Sequence, residues 1–124
     1  MMRRAAKSDL PAIRACLGAR PECAMFPLSN LRQFGFEGAD GYAPFFWVNN
    51  NGPVTDVLTV TRSGMVMPFL PSGDIGAAAA VVGGRTILGL IGPADHARPL
   101  AETLAVGPGV CSLDEDEPHF VLDL

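Results

Sequence analysis

The residues of this 124-residue chain best suited to chemistry are two histidines, three cysteines and a run of carboxylates. His96 falls within a helical pattern, and no sequence neighbour would orient its ring as a general base. The pattern predicts a solvent-exposed helix histidine. His119 follows Pro118 at the start of a strand and could meet Cys111 or Asp123, but nearness in sequence does not make a nucleophile–base pair. Cys16, Cys23 and Cys111 are odd in number, irregularly spaced and contain no CxxC pair. They predict reduced thiols filling core volume in a cytoplasmic protein, with no metal site and no disulfide framework. Asp114-Glu115-Asp116-Glu117 lacks the spaced ligands and the glycine of a calcium loop, so it predicts a solvated loop. Phe45, Phe46 and Trp47 are consecutive. Adjacent strand residues point to opposite faces, so at least one of these rings packs on a second element. Phe45 and Trp47, with Met65 and Met67, are the candidate pocket or interface.

Composition narrows the function classes. The net charge is −4, the hydrophobic fraction 48% and the charged fraction 18%. This length suits one domain over residues 1–124, since two would each be too small to bury a good core. The nine Lys and Arg are scattered, whereas a nucleic-acid surface needs them clustered. The basic start leads into Asp9 and Pro11 and not into an apolar segment, which is unlike a signal peptide. The longest apolar stretch, residues 75–83, is about half the ~20 residues of a spanning helix.

The elements that position these residues follow from periodicity. Residues 2–6 read as a short strand. Ser8 then reads as an N-cap, with Leu10, Ile13 and Leu17 on one helical face and Gly18 as the stop. A second helix is predicted over 22–34, with Pro27 trimming its first turn. Residues 43–49, 54–61 and 65–70 read as antiparallel strands. Tight turns at Asn49-Asn50-Asn51-Gly52 and Arg62-Ser63-Gly64 would join them. Residues 74–82 form an Ala-rich buried helix and 86–91 a central, parallel strand. A helix over 94–106, with Ala97, Leu100 and Leu104 inward, and a strand over 119–124 complete the chain. The fold class is α/β (α+β), a mixed sheet in the order β-α-α-β-β-β-α-β-α-β. The chain stops directly on a strand, which predicts continuation beyond Leu124.

This order is similar to that of the GNAT superfamily of N-acetyltransferases. The opening Arg3-Arg4-Ala5-Ala6-Lys7-Ser8-Asp9-Leu10 resembles the family's first strand and capped helix. Pro21-Glu22-Cys23-Ala24-Met25-Phe26-Pro27-Leu28-Ser29-Asn30-Leu31 resembles the second helix in the N-terminal halves of bacterial two-domain GNAT proteins. Leu88-Gly89-Leu90-Ile91-Gly92-Pro93, followed by a helix, also resembles those halves.

The resemblance implies acetyl-CoA as the cofactor of the whole protein and acetyl transfer to an amine as its reaction. The family holds the cofactor's pyrophosphate on loop amides where a helix begins. Leu70-Pro71-Ser72-Gly73-Asp74-Ile75-Gly76-Ala77 is the corresponding stretch. Ser72, Gly73, Asp74 and Gly76 would be the cofactor-binding positions. Leu70 replaces the family's Gln/Arg, Ile75 replaces its Gly/Ala, and Asp74 brings negative charge to the phosphate site. Arg32-Gln33-Phe34-Gly35 matches the loop in part but follows a helix, so it reads as a C-cap. The only tyrosine, Tyr42, lies outside the position of the family's catalytic acid. Asp56 is the only carboxylate over 54–70. No catalytic residue is therefore assigned. The expectation is a degenerate domain packing on a catalytic C-terminal domain, or self-associating through exposed apolar surface. The alternative is a freestanding module for ligand or protein binding.

Overall fold

The structure is a computed structural model that describes residues 1–83, 85, 87–104 and 119–123, with the backbone alone for 21–25, 94 and 119–123. The predicted acidic run, Cys111, the end of the helix over 94–106 and Leu124 lie outside the described residues, as do the side chains of Cys23 and His119.

Six strands form one mixed sheet in chain order. They are β1 (Met2–Arg4), β2 (Pro44–Asn49), β3 (Val57–Thr61), β4 (Met65–Phe69), β5 (Gly89–Pro93) and β6 (His119–Asp123). The pairs β1·β2, β2·β3, β3·β4 and β5·β6 are antiparallel, and β4·β5 is parallel. Among the described residues, four α-helices accompany the sheet: α1 (Leu10–Gly18), α2 (Pro21–Phe34), α3 (Ile75–Val82) and α4 (Ala94–Thr103). This is the mixed α+β class the sequence predicts.

The helices cover both faces. Leu10, Ile13, Leu17 and Leu31 of α1 and α2 pack with Phe46, Val48, Val57 and Phe69 on one face. Ala78 and Val82 of α3, with Ala97 and Leu100 of α4, pack on Trp47, Leu58, Val66 and Leu90 on the other. Burial on two faces explains why the sequence around β5 reads as a continuous apolar run. Among the described residues, no helix is long and apolar enough to cross a membrane.

Several boundaries differ from expectation for local physical reasons. Ser8 does not cap α1. Lys7–Asp9 form a 3-10 turn, and the Asp9 carboxylate accepts the Ala6 N–H at 2.8 Å. Arg3 fixes that carboxylate through two bonds of 2.9 and 3.0 Å. These donors hold the Asp9 pKa down at about 2, with Arg3 the larger cause. Pro27 lies in the middle of α2 and is buried, and the helix continues through it. Gly35 ends α2 with φ +82°, a left-handed conformation that suits glycine.

The Asn49–Gly52 segment is not a tight hairpin, because strand pairing resumes only at Val57. The Asn49 side chain organises the longer connection. Its Nδ2 donates to the carbonyls of Asn51 and Pro53, and its Oδ1 accepts the N–H groups of Thr55 and Asp56.

The parallel β4·β5 ladder is short: Met65 pairs with Gly89 and Val66 with Leu90. Pro68 has no N–H to extend it. Its carbonyl oxygen lies so near Gly92 that a Cβ there would sit 2.9 Å away.

Candidate functional site

The loop from β4 into α3 is the position where the resemblance expects a pyrophosphate. Leu70 is buried at its start, while Ser72, Gly73 and Asp74 are exposed. Gly73 has φ +80°, which turns the chain sharply before the helix. Its N–H donates to Leu70 O at 3.0 Å, and Ile75 N–H donates to Gly73 O at 2.8 Å. Asp74 is the N-cap of α3 and accepts the Ala77 N–H at 3.2 Å. The Asp74 N–H donates to Ser72 Oγ at 3.3 Å. Ser72 N–H donates to Asp56 Oδ1 at 3.1 Å, and Ser72 Oγ donates to Asp56 Oδ2.

The amides of residues 72, 73, 74, 75 and 77 are thus all bonded within the chain. Two of the acceptors are carboxylates, buried Asp56 and exposed Asp74. Gly76 sits in the first turn of α3 with open space around its α-carbon.

Displacing Asp74 would forfeit an N-cap worth ~1 kcal/mol. An anion seated ~4 Å from a carboxylate meets about 4 kcal/mol of repulsion per pair of unit charges at an effective dielectric near 20. The helix-end attraction for an anion, ~0.3–1 kcal/mol at an exposed site, does not offset these terms. Sequence reasoning names Asp56 as the only carboxylate over 54–70 but misses its place under this loop. Its partner Ser72 is 16 positions away, and only the sheet brings them together.

His96 is buried, not exposed as the helical pattern predicts. Its Nδ1 accepts the Leu70 N–H at 3.1 Å, and its ring meets Phe69 edge-on with centroids 5.4 Å apart. Burial pushes its pKa below the usual histidine value; Asp95 opposes the shift. Among the described residues His96 bonds to no hydroxyl or thiol, so no nucleophile–base pair forms around it. Cys16 is partly buried, and burial pushes its thiol pKa up, with the Asp56 charge adding to the shift. That environment keeps it protonated and a poor nucleophile. No cluster of three or more metal-ligating side chains occurs among the described residues.

The candidate pocket over Phe45, Trp47, Met65 and Met67 divides between the two faces of the sheet. Trp47 lies in register with Leu58 and Pro68, while Phe46 lies in register with Thr59 and Met67. Phe45 and Trp47 therefore face α3, and Met65 and Met67 face α2. Met65 and Met67 line a groove of about 350 Å³ with Phe26, Tyr42, Leu88 and Ile91. Phe26, Tyr42 and Leu88 are 42%, 62% and 51% exposed, so the groove is rimmed by apolar side chains open to solvent. Phe45 and Trp47 line a separate cavity of about 220 Å³ with Arg4, Arg62 and Arg85. One ligand cannot touch both pairs from a single side.

No family model, no curated protein and no solved structure matches the chain.

Proposed function

We propose that this chain is a degenerate GNAT-like domain that does not hold acetyl-CoA itself. It works in a cytoplasmic protein beside a catalytic domain that transfers acetyl groups to an amine. The carrying observation is the self-satisfied loop before α3, where Asp56 and Asp74 take the amides that a pyrophosphate would need. The resemblance of the 21–31 segment and of the element order supports the family. The groove on the α2 face supports docking, because exposed Phe26, Tyr42 and Leu88 gather around it. Contiguous apolar patches of this kind mark interaction surfaces. The same groove favours the alternative of a freestanding interaction module.

The intact mass of the protein from its native source separates the two. The proposal expects about twice the 13.0 kDa of this chain, the size of two ordinary domains. A mass of 13.0 kDa would remove the partner domain and leave the freestanding module or a self-associating chain.

A further inference from the structure

Three arginines from three different elements meet over two aromatic rings on the α3 face of the sheet. The Arg4 guanidinium lies 4.8 Å from the Phe45 ring centre and 5.1 Å from that of Trp47. Arg62, in the β3–β4 turn, lies 5.2 Å from Phe45, and Arg85, beyond α3, lies 4.9 Å from Trp47. All three line the same cavity of about 220 Å³. The chain has nine Lys and Arg and a net charge of −4, so a third of its cations gather at this one place.

Each arginine is tethered. Glu37 accepts from Arg4 Nε at 2.8 Å and lies 2.7 Å from Arg4 Nη2. Glu37 itself has φ +52°, a left-handed conformation costly for a non-glycine residue, and its N–H bonds to Pro44 O. Arg62 Nε donates to Gly38 O at 3.0 Å, and Arg85 Nε donates to Val81 O at 2.8 Å. Arg62 and Arg85 thus hold their place through Nε. Among the described residues, their terminal nitrogens bond to no carboxylate. That pair of nitrogens is the fork that grips phosphate or carboxylate oxygens. Stacking on a ring holds a guanidinium with its charge retained.

The geometry points to a binding site for a phosphate monoester dianion in this cavity. Three guanidiniums less the Glu37 carboxylate leave a local charge of +2, which a dianion matches. Their approach from three elements suits a tetrahedral group with several oxygens better than a planar carboxylate. The site is independent of the acetyl-CoA reading, because it lies beside the end of α3, away from the loop that opens that helix.

Trp47 is the only tryptophan, so its fluorescence reports on the site directly. The test titrates the full chain with inorganic phosphate and, separately, with sodium chloride at matched ionic strength. A saturable fluorescence change with phosphate alone is expected, weakened by about tenfold or more in Arg62→Gln/Arg85→Gln, since charge-assisted bonds carry that much affinity. The remote pair Arg14→Gln/Arg32→Gln should titrate like the parent. Three results would overturn the assignment: equal responses to phosphate and chloride, no response at tens of millimolar phosphate, or succinate binding as tightly as phosphate. The comparison of anions on the parent chain stands even if the double variant fails to fold.

Discussion

His96 shows how one side chain can complete a strand end. Leu70 is buried, and its N–H finds its acceptor in the His96 Nδ1 from another element. Protonating that nitrogen removes the acceptor, and burial already lowers the histidine's pKa. The native state therefore binds fewer protons than the unfolded chain as pH falls through the usual histidine range. The stability this group contributes is fully present above the unfolded pKa and is lost as pH falls toward the depressed folded value. His96→Ala leaves the Leu70 N–H buried without a partner and should cost ~1–3 kcal/mol at pH 8. Urea unfolding at pH 8 and pH 5 checks this. The gap between parent and variant should narrow at pH 5, and a gap of the same size at both values would contradict the role given to His96.

Among the elements, β4 and β5 form the parallel pair of the sheet and its shortest ladder. Pairing stops after Val66 and Leu90 because Pro68 offers no N–H, and Gly92 provides the close approach at that point. A Cβ at Gly92 would meet backbone, which cannot swing aside as a flexible side chain can. Gly92→Ala should therefore destabilise the fold by ~1–3 kcal/mol. Gly76→Ala, inside α3 with nothing within 4 Å, should be neutral or stabilising by up to about 1 kcal/mol. The melt of Gly92→Ala should fall below the parent while that of Gly76→Ala stays at or above it; equal shifts would contradict the backbone contact at Gly92.

The order of strands and helices, the parallel pairing and the helix faces were legible in the sequence, because β-branched alternation at 57–61 and the Leu10, Ile13, Leu17 spacing are local signals; the strand read over 86–91 instead lies at Gly89–Pro93. What was not legible depends on distant partners. Asn49 brackets a seven-residue connection through side-chain bonds, so its Asn-Gly neighbour suggests a tighter turn than forms. His96 has a helical, polar context, and the strand end that meets it, with the Leu70 N–H and the Phe69 ring, lies 26 to 27 positions away in sequence. The candidate pocket or interface of Phe45, Trp47, Met65 and Met67 divides into two cavities once register is known, because the shift of one residue between Trp47 and Phe46 decides which face each neighbour shares.

At the scale of the whole molecule, the two faces of the sheet have acquired different surfaces. The α2 face carries an apolar groove, and the α3 face carries concentrated positive charge over aromatic rings. Between them, at the start of α3, lies a loop whose polar groups are turned inward onto Asp56 and Asp74. The resemblance would place a cofactor's pyrophosphate at that loop, where the amides of residues 72–75 and 77 are already bonded within the chain. Calorimetric titration of this chain with 3′-dephospho-acetyl-CoA, which keeps the pyrophosphate and lacks the phosphate monoester that the arginine cavity would take, tests the point most directly. The account predicts no heat of binding up to millimolar 3′-dephospho-acetyl-CoA. Saturable binding at micromolar concentration would mean that Asp74 and Asp56 yield their amides to the pyrophosphate, and the degenerate-domain account would be wrong.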